Sequence, residues 1–359
     1  MRIVVKHPAE LAAPEIGAWR ELLTGDALSS PYFTPEFNRI AAETYPGVKV
    51  ALALDGGRLA GIFPFRTGPL GFSRAPAGAM CDFQGLIAAP DARLDMAQIA
   101  RDAGARVFVY GALPADQARH GFPGETTSAC AVVGLEDGYE GWRADRDAQT
   151  GTIKKLDARR RALQRDIGPI RVEIDDASDA AFEILCSWKR AQYRASGYFD
   201  IFAAPATRIL LDRIRTRRER AFRGVLSCLY AGDRLIAAHF GMQAGPVLHY
   251  WFPAYDPALG KYSPGNLLLD ELAGAGAAQG WSAIHLGDGD HGYKKEFGSR
   301  RIPLIRGALR TRSTAAAAHQ AGEWLTRTAE AAPLGPLSRW PGKAMRKIGR
   351  IADFGWKAA

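Results

Sequence analysis

The sequence predicts an α/β fold with a mixed sheet, divided between two domains. The chain has 359 residues, more than one hydrophobic core usually holds. Short apolar strand candidates alternate with helix candidates along its length. Each half also contains a strand–turn–strand pattern, VALALDGGRLAGIFPF in the first and GVLSCLYAGDRLIAAHF in the second. The two patterns fit either a duplicated domain or coincidence, because hairpins recur in unrelated folds.

In the first half a strand is expected at Arg2–Val5. Thr34 followed by Pro35 is a helix start, with a cap residue and then proline at the first helical position, for a helix over Pro35–Glu43. Strands at Val48–Leu54 and Leu59–Arg66 are joined by Asp55-Gly56-Gly57-Arg58, a hairpin turn. Gly/Pro-rich sequence follows, then strands at Gln84–Ala88 and Arg106–Tyr110. Gly134–Thr150 is polar and aperiodic, so the boundary is placed there, giving domains 1–140 and 141–310.

The second half opens on a basic helix, Ile153–Asp166. It carries Lys154, Lys155, Arg159, Arg160, Arg161 and Arg165 against Asp157 and Asp166. A strand at Arg171–Ile174 and helices at Ala180–Ser196 and Pro205–Arg220 come next. The hairpin Gly224–Tyr230 and Leu235–Met242 then leads into a strand at Val247–Phe252, a helix at Leu267–Gln279, a strand at Ala283–Leu286 and a short helix from Tyr293.

Apolar residues make up 47% and charged residues 24%, an ordinary globular balance, and the net charge is +9. That charge suits an anionic partner: a phosphorylated cofactor, tRNA or an acidic membrane surface. Cys81, Cys130, Cys186 and Cys228 form no CxxC pair, which argues against a zinc site. The N-terminus lacks the pattern of a signal peptide, and no apolar run approaches the ~20 residues that span a bilayer. A cytoplasmic protein is expected.

The stretch from Val247 to Gly298 carries most of the functional information. Its order is strand, loop, helix, strand, loop, helix, and a helix N-terminus offers unpaired N–H groups to an anion. Together with Lys154-Lys155, Arg159-Arg160-Arg161, Ser263-Pro264-Gly265, Gly287-Asp288-Gly289 and Tyr293-Lys294 with Phe297-Gly298, it resembles the GNAT-like acetyltransferase domain of cellulose and exopolysaccharide biosynthesis proteins, a family related to Fem-type peptidyltransferases. Ser30–Phe37 also resembles the opening of these proteins. The resemblance spans roughly residues 28 to 310 and is stronger after 150. It implies tandem GNAT-like domains and acyl transfer from acetyl-CoA to an amine or hydroxyl of a sugar or lipid-linked polysaccharide precursor. A Fem-type relative would instead draw its acyl group from aminoacyl-tRNA. A catalytically silent scaffold of a polysaccharide assembly complex is the non-enzymatic alternative.

Donor-binding candidates are Lys261, Ser263, Gly265 and Asn266 at the phosphate loop, with Trp251 and Phe252 on the preceding strand. The loop departs from the GNAT pattern, since Pro264 has no N–H and only one glycine is present. Tyr293 falls where such enzymes place the acid that protonates the departing thiolate. Its reference pKa of about 10 lies close to that of a thiol. His239, and also Asp256, are candidate bases, against the plainer readings of a structural histidine and a turn aspartate. His285, Asp288, Asp290 and His291 crowd together, but a thioester already activated toward attack needs no metal, and none is expected. Gly274, Gly276 and Gly280 lie within and after a helix rather than before one, so they are read as packing glycines and not a dinucleotide fingerprint.

Residues 311–359 form a basic tail. From Pro341 it reads as a helix with Lys343, Arg346, Lys347 and Arg350 on one face and Met345, Ile348, Ala352 and Trp356 on the other. Such a helix either lies in the interface at the inner face of a membrane or docks on the protein's own core.

Overall fold

The computed structural model describes residues 1–289 and 292–331, together with Gly349, Ile351, Asp353 and Phe354. The chain opens with β1 (Arg2–Lys6), then α1 (Ala13–Glu21), α2 (Gly25–Leu28) and α3 (Pro35–Thr44). The hairpin β2 (Val48–Asp55) and β3 (Arg58–Thr67) is followed by β4 (Phe72–Arg74), β5 (Ile87–Ala88), α4 (Met96–Asp102), β6 (Val107–Pro114) and β7 (Glu125–Gly134). Next come α5 (Gly138–Thr150), α6 (Thr152–Asp166), β8 (Ile170–Ile174), α7 (Asp179–Ala195), α8 (Pro205–Arg215) and β9 (Arg218–Glu219). The second hairpin, β10 (Phe222–Ala231) and β11 (Arg234–Ala244), leads through β12 (Val247–Tyr255), α9 (Pro264–Ala278), β13 (Ala283–Asp288), α10 (Tyr293–Phe297) and β14 (Arg300–Arg310) to α11 (Thr314–Ala331).

The strands form one mixed sheet in the order β1-β2-β3-β4-β6-β14-β7-β13-β12-β11-β10-β8, with β5 on β3 and β9 on β10. The fold class read from the sequence therefore stands. The halves are not separated at the boundary, however. β7, from the first half, pairs with β13, and β14, from the second half, pairs with both β6 and β7. Each half receives a strand from the other.

Strands buried on both faces explain the near-continuous apolar runs. Along β10, Leu226 and Cys228 join the core beneath α7 and α8, while Val225 and Leu229 join the opposite core beneath α6 and α9. A third core, around Phe63, Phe65 and Phe108, lies under α4. Thr34 caps α3 as its sequence suggests, its hydroxyl accepting from Phe37 N–H at 3.2 Å.

Two expectations are corrected. Gly138–Thr150 is helical, and its buried positions are only Trp142 and Arg146, too few to print a periodicity on the sequence. Trp142 Nε1 donates to Phe297 O at 3.0 Å, and Arg146 donates to Gly298 O at 2.7 Å, so backbone carbonyls anchor this helix. The helix beginning at Pro205 ends at Arg215, because Arg218 and Glu219 turn back to pair with the start of β10.

Among the described residues no helix is long and apolar enough to cross a membrane. The basic and apolar faces of the predicted tail helix lie outside the described residues. Asp353 and Phe354 sit against the body: Asp353 bridges Arg66 at 3.0 Å and Arg74 at 2.9 Å, and the Phe354 ring lies 5.2 Å from that of Phe199.

Candidate functional site

The site grows from a fork in the sheet. β12 and β13 run parallel, and they pair only over Val247–His249 against Ala283–His285. Beyond this point β12 carries an extra residue relative to β11, between His249 and Phe252. β13 carries one relative to β7, between His285 and Asp288. A bulge bends its strand and re-aims the following side chains. Two bulges at the same level thus part the strands.

A cavity of about 200 Å³ lies at the fork. Trp251 and Phe252 line it from β12, Leu286 and Asp288 from β13, and Tyr293 and Lys294 from α10. Lys189 and Tyr193 enter from α7, and Met80 and Asp82 come from the first half of the chain.

Asp82 is held from behind. Its Oδ2 lies 2.9 Å from Nε2 of His249, which is fully buried, while the carboxylate itself is 29% exposed. Gly287 makes room for it: with φ of +76°, a Cβ there would stand 2.6 Å from Asp82 Oδ2. Tyr32 and Phe83 pack edge-on against the His249 ring, at 4.9 and 6.3 Å.

Tyr293 reaches the cavity and is largely buried. Burial first, and then Asp82 and Cys130, push its phenol above the ordinary tyrosine range, so it stays protonated at neutral pH. His239 lies elsewhere. It is fully buried in β11, its ring stacked 4.1 Å from that of Tyr250. Burial drives its pKa well below the usual value. Asp256 is committed to structure, accepting from Ala258 N–H at 2.9 Å and pairing with Arg234.

The phosphate-loop candidates gather at the start of α9. Ser263 precedes the helix with φ of 52°, in the left-handed region where a non-glycine residue is strained. Its hydroxyl accepts from Arg159 Nη1 at 2.7 Å, which brings the basic helix α6 to the N-terminus of α9. Asn266 N–H bonds Ser263 O at 3.0 Å. Gly265 faces the Tyr255 ring, and the exposed Lys261 holds its ammonium 4.7 Å above the Tyr262 ring. Arg160 turns inward instead, to Asp270 at 2.6 Å.

His285 is buried in β13, its pKa lowered to about 3 mainly by burial and then by His249, and Asp288 reaches the cavity. Asp290 and His291 lie outside the described residues. Among the described residues no group of His, Cys, Asp and Glu is arranged to hold a metal ion. Gly274 meets the Tyr139 ring and Gly276 the Trp281 ring, so these glycines serve close packing, though against aromatic rings rather than the sheet.

The element order from α6 to α10, with the fork and the α9 N-terminus, coincides with a recognisable unit. Residues 151–295 match the acetyltransferase (GNAT) domain family. A comparison with curated proteins finds no match. Among solved structures, the C-terminal domain (DUF2156) of a protein assigned as a lysylphosphatidylglycerol synthetase from Agrobacterium fabrum is similar, with TM-score 0.53 and 14% identity, covering 87% of this chain and 96% of that one. FemX is similar with TM-score 0.56 and 9% identity, covering 86% and 96%. A Bacteroides thetaiotaomicron protein of unknown function gives 0.52 and 10%, covering 86% and 100%. At such identities the likeness is one of fold. It extends over both halves, whereas the GNAT domain match lies in the second.

Sequence reasoning missed Asp82, His249 and Lys189. Asp82 follows a Gly/Pro-rich stretch without periodicity. Lys189 did leave a trace: Phe182, Leu185, Cys186 and Lys189 are all buried on α7, so a lysine occupies the apolar stripe of an amphipathic helix.

Proposed function

We propose that this chain transfers an acyl group from acetyl-CoA, or another acyl-CoA, to an amine or hydroxyl of a sugar or lipid-linked polysaccharide precursor. The observation that carries the reading is the fork between β12 and β13, with Tyr293 in its cavity and the α9 N-terminus beside it. The donor's pyrophosphate would lie at Ser263, Gly265 and Asn266 with Arg159 and Lys261, where the Gly265 N–H, the positive end of the helix dipole and two cations favour an anion. Trp251 and Phe252 would flank the acyl-thioester arm.

The acceptor nitrogen or oxygen attacks the thioester carbonyl carbon. Asp82, oriented by His249, takes the acceptor's proton. A backbone N–H in Trp251–Ala254, other than that position of Pro253 which has none, receives the carbonyl oxygen as negative charge develops. As the C–S bond breaks, its electron pair goes to sulfur, and Tyr293 O–H protonates the thiolate. Solvent returns the proton from Asp82 to Tyr293. His239 and Asp256 have no step here, the first because it is enclosed and the second because its carboxylate is already engaged.

The exposed basic residues of α6, Lys154 and Lys155 with Arg161 and Arg165, favour a second donor, aminoacyl-tRNA. Thermal shift of the full chain with acetyl-CoA and with charged tRNA decides between them. Acetyl-CoA should stabilise the protein, and thiol release should depend on Tyr293. A shift with charged tRNA and none at millimolar acetyl-CoA would replace the donor.

A further inference from the structure

Lys189 is an unusual residue to find at the base of a cavity. It is 9% exposed, yet among the described residues no carboxylate lies within ion-pair distance. Its Nζ donates to Gln192 Oε1 at 2.9 Å and stands 5.2 Å from the centre of the Tyr193 ring. Burial and then the Lys294 ammonium lower its pKa to about 8. Lys294 is itself held by a backbone carbonyl, donating to Asp288 O at 2.6 Å. The cavity lining thus presents two ammonium groups that, among the described residues, form no ion pair with a carboxylate.

Two carboxylates line the same cavity. Asp82 shows a carboxylate to the cavity with only one of its oxygens engaged by His249. Asp288 lines the same cavity, and its Oδ1 is buried without a partner. Leaving a buried charge or polar atom unmatched costs free energy, and a ligand of complementary charge removes that cost. The volume is below the ~300 Å³ at which sites for drug-sized ligands begin. It therefore suits the head group of an acceptor.

We propose that the acceptor carries an anionic group close to its reacting amine, with the anion held by Lys189 and Lys294 and the amine by Asp82 and Asp288. This rests on the acyl-transfer reading above, and it narrows the acceptor to zwitterionic head groups such as an amino acid or an amino-sugar phosphate. Lys189 then determines specificity through the anion, while Asp82 accepts the proton of the amine.

Calorimetric titration of the full chain, with no donor present, tests it with matched probes: L-ornithine against putrescine, and glucosamine 6-phosphate against glucosamine. The anion-bearing member of at least one pair should bind at least tenfold more tightly, and which pair discriminates tells carboxylate from phosphate. Lys189→Met should erase that preference while leaving the affinity for the amine-only probe within twofold. Asp288→Asn, a milder change, should weaken both members of the pair. Equal binding of both members, no binding of any probe, or a preference that survives Lys189→Met would overturn the proposal. Because acetyl-CoA binding is read separately, its absence would sink the donor reading without bearing on this one.

Discussion

The two halves of the sheet use a similar order of parts to different ends. In the second half, parallel strands β12 and β13 are linked by α9, a helix of 15 residues. In the first, parallel strands β4 and β6 are linked through β5 and α4, a helix of 7 residues. Asp95 caps α4, its carboxylate accepting from Ala97 N–H at 2.9 Å and Gln98 N–H at 3.1 Å. A negative charge is already seated where an anion would go. At α9 no side chain caps the helix, and an arginine approaches Ser263 instead. The loop before β5 reaches the other half and delivers Asp82 to the cavity beside His249. The first half lends Met80 and Asp82 to the cavity and the second supplies the fork, and the exchange of β7 and β14 joins the two halves in one sheet.

If the first half supplies the base, the largest effect of any single change should come from that half. Asp82→Asn is expected to lower kcat by about 10² to 10⁴, the usual contribution of a positioned base, with donor affinity unchanged. Tyr293→Phe should fall in the same range. Steady-state kinetics with thiol detection reads both. An Asp82→Asn enzyme with normal kcat would return the base to the second half.

The closing contact between the tail and the first half comes next. Asp353 neutralises Arg66, which is 8% exposed, and Arg74, which is 28% exposed. Asp353→Ala leaves two neighbouring arginines without that carboxylate, and a loss of about 3 kcal/mol is expected, the lower end for breaking a buried pair. Urea unfolding measures it. A loss below about 0.5 kcal/mol would mean that the tail contact contributes nothing to the body's stability.

Donor binding should single out the second half. At about 100 times its Kd, acetyl-CoA is expected to add about 2.7 kcal/mol of stability. Arg159→Ala should reduce the affinity, and Asp95→Ala should leave it alone. An equal loss from both would mean that the two helix N-termini are not functionally distinct.

How much of this could be read beforehand divides along the same line. The hairpins, α3, α6, α7 and the β12–α9–β13 unit follow from local pattern, because each has a long apolar stripe or a distinct cap. The fork does not, since bulges in β12 and β13 show only in registers against β11 and β7. The strand exchange is non-local in the same way: β14 follows α10 in sequence, while its partner β6 lies nearly two hundred residues earlier. Tyr293, Trp251 and Phe252, which line the cavity, stand out in the sequence because they sit within the second half's motif. Asp82 and Lys189 do not, because one comes from an irregular loop of the other half and the other is hidden in an apolar helix face. His239 was drawn toward the site by strand alternation alone, which tells one face from the other but not whether that face is open.

Lys189 offers a test by pH. Its folded pKa, about 8, lies below the ordinary lysine value near 10.4, so the unfolded chain binds more protons over the interval between them. Stability from this group therefore rises with pH from about 8 through the ordinary lysine range. The charge costs stability at lower pH, where it is present in both states. Lys189→Met should be more stable than the parent at pH 7, and the difference should shrink as pH rises through that window. Thermal melts across pH 6 to 10 show it, and a variant less stable than the parent at pH 7 would mean that the ammonium has a partner it depends on.

The smallest effects belong to the two helix N-termini, and they should differ in sign. Asp95→Ala removes a cap that satisfies two N–H groups of α4, at a cost of about 1 kcal/mol. Ser263→Gly relieves a left-handed serine, worth about 1–2 kcal/mol. The added freedom of glycine in the unfolded chain offsets about 0.5–1 kcal/mol of this. The net change is therefore between zero and about 1.5 kcal/mol in favour of the variant. It also removes the hydroxyl that holds Arg159, so donor affinity should fall as stability holds or rises. That combination is expected where strain has been retained for binding, and it has no counterpart at Asp95. Loss of stability in Ser263→Gly with donor affinity intact would make the left-handed turn a packing feature, and the contrast between the two helix N-termini would lose its functional meaning.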